Sequence, residues 1–224
     1  MKTAYFSSEN LQEEALEMAH LLPGNQNKRG STFKPEHSAL LVLDMQSYFL
    51  EPSSHAFIPS ATAIVPGLKL LAQSYFAHDL PVFFTQHLNS AQDAGSMSRW
   101  WKDLITIEDP LSSIIADFDF SNRYVLRKSQ YDAFYQTDLE EILKNKGVSQ
   151  VVVSGVMTHL CCETTARSAF VRGFEVFFLI DGTATYNKEH HLATLLNLSH
   201  GFANLVLSGE ILIALDHLSD KKTT

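Results

Sequence analysis

Residues 151–173 read VVVSGVMTHLCCETTARSAFVRG, and the fold class turns on them. Val151–Ser154 is a short, nearly continuous apolar run, the habit of a strand buried on both faces of a parallel sheet. Gly155 closes the run. A helix pattern then begins at Cys161, with Thr165, Ala169 and Phe170 at helical spacing, and stops at Gly173. A buried strand, a brief loop and a helix, in that order, form the repeating unit of an α/β sheet.

The unit recurs on either side. Strand-length apolar runs stand at Ala39–Leu43, Val82–Thr85, Tyr124–Leu126, Glu175–Ile180 and Asn204–Leu207. Helix patterns fall at Pro59–His78, Thr137–Lys146 and Lys188–Ser199, the second of them ending at Gly147. The expected fold is a three-layer α/β/α domain with a six-stranded, mostly parallel sheet over residues 34–216. Residues 88–122, with Trp100, Trp101 and Pro110, break the alternation and are expected to form a lid, a small helix pair or an interface. Residues 9–21 carry Leu11, Ala15 and Met18 at helical spacing, and Pro23–Ser31 is a polar loop with Gly24 and Gly30. Residues 1–33 therefore read as a helical arm and linker. Residues 217–224 read as a polar tail.

The chain has 224 residues, 45% hydrophobic, 11% aromatic and 19% charged, which fits one folded domain and excludes a disordered chain. The net charge of −8 comes with no basic run longer than two residues, which argues against nucleic acid as a partner. Glu9, Glu13, Glu14 and Glu17 interrupt the first stretch, so no export signal is expected there. No apolar run approaches the roughly 20 residues of a spanning helix, so no membrane partner is expected. Cys161 and Cys162 are the two cysteines, and adjacent residues rarely bridge. Free thiols suit the cytoplasm.

In sheets of this kind chemistry gathers at the carboxyl ends of the strands. Those ends are Asp44-Met45-Gln46, Thr85-Gln86-His87, Arg127-Lys128, Gly155 leading to Cys161, and Asp181. A carboxylate, an imidazole, an ammonium and a thiol can therefore meet on one rim. A free thiol is only a few per cent ionised near neutrality and needs help to act as a nucleophile. The positive end of a helix would lower the Cys161 pKa, Asp44 could take its proton, and Lys128 would keep Asp44 ionised. Each residue also has a plainer reading. Cys161 and Cys162 could be small core residues, Asp44 a turn or helix cap, and Lys128 a solvated charge. His190 and His191 fall on different faces of a helix pattern and read as surface residues. The chain has no G-x-G-x-x-G, no G-x-x-x-x-G-K-[ST], no G-x-S-x-G, and neither H-E-x-x-H nor C-x-x-C. Dinucleotide, P-loop, serine-hydrolase and these zinc chemistries have no support.

Three blocks in order resemble the isochorismatase-like hydrolases, the cysteine hydrolase superfamily, over about residues 35–210. They are ALLVLDMQSYF at 39–49, LRKSQYDAF at 126–134 and VVVSGVMTHLCCETTARSA at 151–169. The resemblance implies a Rossmann-like topology and a catalytic triad on Asp44, Lys128 and Cys161, with Cys162 where relatives carry a small apolar residue. It implies an oxyanion hole from the backbone N–H groups of Met157 and Cys161, and a cis peptide between Val156 and Met157. It implies substrate contacts from Gln46, Phe49, His87 and Tyr131, and a homo-oligomer. Isochorismatases themselves carry glycine at the nucleophile position and a glutamine that falls on His87. Nicotinamidases of the family hold a metal on an Asp-x-His element after the first strand. Residues 50–90 have no such element, so no metal and no cofactor are expected. The expected activity is hydrolysis of a small amide or related C–N bond through a Cys161 thioester. The alternatives are isochorismatase-type vinyl-ether hydrolysis and a catalytically silent binding relative.

Overall fold

The computed structural model describes residues 1–22, 32–121 and 123–222, so the loop expected at 23–31 lies outside the described residues, as do the last two residues of the expected tail. Six strands form one sheet: β1 (Ser38–Leu43), β2 (Val82–His87), β3 (Tyr124–Lys128), β4 (Gln150–Val156), β5 (Glu175–Ala184) and β6 (Asn204–Val206). Their order is β3-β2-β1-β4-β5-β6, and every neighbouring pair is parallel. β1 and β4 are buried along their whole length, as their unbroken apolar sequences require.

The helices are α1 (Leu11–Leu21), α2 (Ser47–Leu50), α3 (Ala61–Ala77), α4 (Met97–Trp100), α5 (Leu139–Asn145), α6 (Glu163–Val171), α7 (Lys188–Gly201) and α8 (Ser208–Lys222). From β1 the chain steps through α3 toward β2. From β4 it steps the other way, through α6 to β5 and through α7 to β6. Right-handed crossovers therefore put α3 on one face and α6 with α7 on the other. α8 packs on α3, which completes the first layer. The strand order reverses between β1 and β4, and ligands of open α/β sheets bind in the crevice at such a switch point.

At that point the two central backbones touch. Leu43 of β1 pairs with Gly155 of β4. Gly155 has φ +100°, and a Cβ there would lie 2.1 Å from the Leu43 carbonyl oxygen, so the position admits only glycine. Asp44, next along, has a φ of 51°, a conformation Asp tolerates better than most residues.

The structure departs from the expected boundaries at both ends. α8 runs from Ser208 to Lys222, through the start of the expected tail, with Ile211 and Leu215 buried. Residues 1–22 are not a detached arm. Tyr5, Phe6, Ala15, Met18 and Leu22 belong to the same buried core as β1 and β4, and α1 packs on β5. Among the described residues of 88–122 there is no helix pair. They hold the single turn α4, a 3₁₀ turn at Ala116–Phe118 and one antiparallel bridge from Ile114 to Gln46. Among the described residues no helix is long and apolar enough to cross a membrane.

Candidate active site

Asp44 follows β1, Lys128 ends β3, and Cys161 sits in a single π-type turn, Thr158–Cys162, between β4 and α6. Lys128 Nζ lies 2.7 Å from Asp44 Oδ2, with both side chains fully buried. It also lies 3.4 Å from Cys161 Sγ and donates to the Gln130 carbonyl at 2.9 Å. Thr85 of β2 donates to Asp44 Oδ1 at 2.5 Å and accepts from the Asp44 N–H at 3.0 Å. Oδ2 is paired with the Lys128 ammonium. A lone charge this deep would cost several kcal/mol, so carboxylate and ammonium depend on each other.

Burial alone would push the Asp44 carboxyl up. The Lys128 charge, with hydrogen bonds from Lys128 and Thr85, overrides it and holds the carboxyl below its usual range. Burial likewise opposes charge on Lys128, and Asp44 and Cys161 raise it. The thiol behaves differently. Burial, opposed by Lys128 and reinforced by the Asp44 charge, pushes Cys161 up to about 12. The helix end expected to acidify this thiol does not do so, because burial wins and because a π-type turn, not the first turn of α6, holds the sulfur. The resting site is an ammonium–carboxylate pair beside a neutral thiol. A thiol in this state has to shed its proton before it can act as a nucleophile.

Cys161 opens onto a cavity of about 120 Å³, lined also by Phe49, His87, Trp101, Tyr131 and Tyr186. Trp101, from the segment after β2, closes one side and donates from Nε1 to the Tyr131 hydroxyl at 2.7 Å. Its neighbour Trp100 is exposed. Met157 lines the same cavity, and the Val156–Met157 peptide is cis.

Of the four expected contact residues, Phe49, His87 and Tyr131 reach the cavity, and Gln46 does not. Gln46 is fully buried. Its amide donates to the His87 carbonyl at 3.1 Å and the Ser112 carbonyl at 2.7 Å, and accepts from the His87 N–H at 2.8 Å. It braces the end of β2 against residues 111–115. His87 has both ring nitrogens engaged: Nδ1 lies 3.4 Å from Lys128 Nζ and Nε2 lies 2.9 Å from Asn89 Oδ1. An ammonium can only donate, so Nδ1 accepts and the ring proton sits on Nε2. Burial and the Lys128 charge lower His87 to about 4, so it is neutral at neutral pH. A substrate can bond a ring nitrogen only by displacing a protein partner.

One other reading needs correction. His191 is not a surface residue: it is fully buried, while His190 beside it is exposed and stacks on His159 at 4.4 Å between ring centres. Cys162 is buried too, with Sγ 3.8 Å from the Ser154 carbonyl, and burial drives its thiol well up. Thr85, Asn89 and Tyr186 were not singled out by sequence. Thr85 carried a signal, being a hydroxyl at the polar end of an apolar run. Among the described residues no three His, Cys, Asp or Glu side chains gather as a metal ion would require.

Comparison with known proteins converges on one family. The Isochorismatase domain model matches residues 38–210, and the chain belongs to that family of hydrolases. Nicotinamidase 3 of Arabidopsis thaliana is 41% identical over 174 residues, covering 75% of this chain and 84% of that protein. Enterobactin synthase component B of Escherichia coli (strain K12) is 30% identical over 210 residues, covering 91% of this chain and 72% of that protein. A cysteine hydrolase from Pseudomonas syringae pv. phaseolicola 1448A shares the fold, with a TM-score of 0.79 at 24% identity over 83% of this chain and 95% of that one.

Proposed function

We propose that the chain is a cysteine hydrolase that cleaves a small amide or related C–N bond through a thioester on Cys161. The observation that supports this most is the 3.4 Å contact of Lys128 Nζ with a cavity-lining sulfur, on an ammonium already paired with a carboxylate. In the reaction the thiol proton passes to Asp44 as Sγ attacks the carbonyl carbon. The carbonyl oxygen becomes an oxyanion and takes hydrogen bonds from the N–H groups of Met157 and Cys161. Asp44 returns the proton to the leaving nitrogen, the C–N bond breaks, and ammonia or an amine departs. Water then adds to the thioester and loses a proton to Asp44. The C–S bond breaks, the sulfur recovers that proton, and a carboxylic acid leaves.

Lys128 stays an ammonium throughout. It keeps Asp44 ionised and steadies the sulfur whenever that atom carries charge. Phe49 and Tyr131 hold the substrate, and the aromatic lining suits a flat ring. Gln46 acts as the brace described above and His87 as part of the wall. The likeness to a nicotinamidase favours an amide substrate. The free thiols favour a reducing compartment such as the cytoplasm.

Vinyl-ether hydrolysis is the second reading, and the match to an Isochorismatase domain favours it. Asp44 would then protonate the enol carbon and Cys161 would be a bystander. A screen of small amides, ureides and isochorismate, run on the wild type and on Cys161→Ala, separates the two. Amide turnover that vanishes in Cys161→Ala supports the proposal. Amide turnover that survives overturns it.

A further inference from the structure

Residues 1–6 lie outside the stretch that the family model matches, yet they bond to two cavity-lining residues and to segments behind them. The Thr3 N–H donates to the Tyr186 carbonyl at 2.8 Å. Lys2 donates to the His55 carbonyl, and its ammonium lies 4.4 Å from the centre of the Tyr186 ring. His55 and Tyr186 both line the cavity. The N–H groups of Tyr5 and Phe6 both donate to Ser60 Oγ, at 2.9 and 3.1 Å.

Tyr5 reaches furthest. Its buried hydroxyl accepts from the Thr185 N–H at 3.0 Å and lies 2.9 Å from His191 Nδ1. Thr158 Oγ1 lies 3.2 Å from the same nitrogen, and Thr158 opens the turn that carries Cys161. Tyr5 and Thr158 therefore meet at one ring nitrogen of His191, whose tautomer sets which group donates. Burial keeps His191 neutral by lowering it to about 3. Nε2 makes no well-formed hydrogen bond, so Tyr5 and Thr158 set the ring's place from the Nδ1 side.

We propose that residues 1–6 form a strap that completes the active site, with Tyr5 a positioning residue that acts through His191 and Thr158 on the nucleophile turn. The inference rests on the cysteine-hydrolase reading, in which that turn and the Met157 that precedes it supply the oxyanion donors and the sulfur. Reaction geometry of this kind is sensitive to shifts of about 1 Å.

Tyr5→Phe keeps the ring in the core and removes only the oxygen. It is expected to lower kcat by about tenfold or more with KM within about twofold, the mark of a loss felt mainly in the transition state. Amide exchange should quicken across residues 157–162, more than 150 positions away in the chain. Glu14→Gln is the control, since it breaks another tie of the N-terminal segment, the 2.5 Å pair of Glu14 with Lys188 on α7. It should lower Tm slightly and leave kcat unchanged. Combining Tyr5→Phe with Thr158→Val should cost no more than the worse single change, because both cut one path. The strap is refuted if Tyr5→Phe moves Tm alone, with kcat and exchange at wild-type values. A wild type that hydrolyses no amide overturns the hydrolase reading instead, and the exchange comparison still decides the strap.

Discussion

Asp44→Asn should make Cys161 more reactive toward alkylating agents while abolishing amide turnover. The two legs through Lys128 Nζ, 2.7 Å to Oδ2 and 3.4 Å to Sγ, bound the Oδ2–Sγ separation at about 6.1 Å. Even at that limit, an effective dielectric of about 20 gives roughly 2.7 kcal/mol of repulsion between carboxylate and thiolate, equivalent to about 2 in pKa. The thiol at about 12 would therefore fall to about 10 or below, as Lys128 is left to act on it unopposed. At neutral pH that is roughly a hundredfold more thiolate. Each thiolate is about eightfold less nucleophilic, so alkylation quickens by at least about tenfold. The assay is the pH dependence of iodoacetamide labelling, with thiolate absorbance read against Cys161→Ala. Lys128→Met should move the thiol the other way and slow labelling, which guards against a poorly folded Asn variant. An Asp44→Asn thiol that titrates at or above the wild-type pH, or a variant that still turns over amide, would refute this account of the triad.

The other predictions concern stability and the pocket. Gly155→Ala must both displace the Leu43 carbonyl and strain a positive φ; it should cost at least about 3 kcal/mol, visible as a Tm drop of roughly 6–12 °C or as insoluble protein. His87 and His191 are buried neutral, lowered from 6.5 to about 4 and about 3. Below pH 6.5 the unfolded chain binds protons the folded chain refuses, so stability falls with pH from there toward 4. The slope from these two protons approaches roughly 2.7 kcal/mol per pH unit, and the less buried His159, also lowered to about 4, adds a smaller share. Calorimetry should show it, and His191→Gln should remove roughly a third to a half of it; a flat Tm over that range would contradict the burial argument. Cys162→Ala should keep most amide turnover while Cys161→Ala keeps none; equal loss in two folded variants would mean the wrong sulfur has been assigned. Trp101→Phe breaks the bond to Tyr131 and should raise KM several-fold with little change in kcat, and unchanged KM would remove Trp101 from the pocket wall.

The parts legible in the sequence are those whose physics is local. β1 and β4 could be read because both faces are buried, so apolar residues run without a break. The strand ends Asp44, Lys128 and the Gly155–Cys161 segment followed from that reading. The rest depended on contacts between distant residues. The helix over Ser208–Lys222 was missed because its charged carboxyl end reads as a tail, while Ile211 and Leu215 bury only against other elements. His190 and His191 are adjacent and so about 100° apart on a helix, and nothing in their own neighbourhood says which one faces inward. Gln46 was expected at the substrate, but its partners, the His87 backbone and the Ser112 carbonyl, are 41 and 66 residues away. The thiol's resting state turned on burial, which spacing does not report.

The bond between Tyr5 and His191 spans 186 residues, and that span has a consequence for the order in which the molecule is made. Tyr5 and Phe6 leave the ribosome well before their partners on β5 and α7. At about 5–20 residues per second, these two apolar side chains wait roughly 10–40 s for the surfaces that cover them. Over that interval the nascent chain carries a sticky, uncovered segment. The turn that holds Cys161, though already translated, stays unclamped until Tyr5 folds back onto His191.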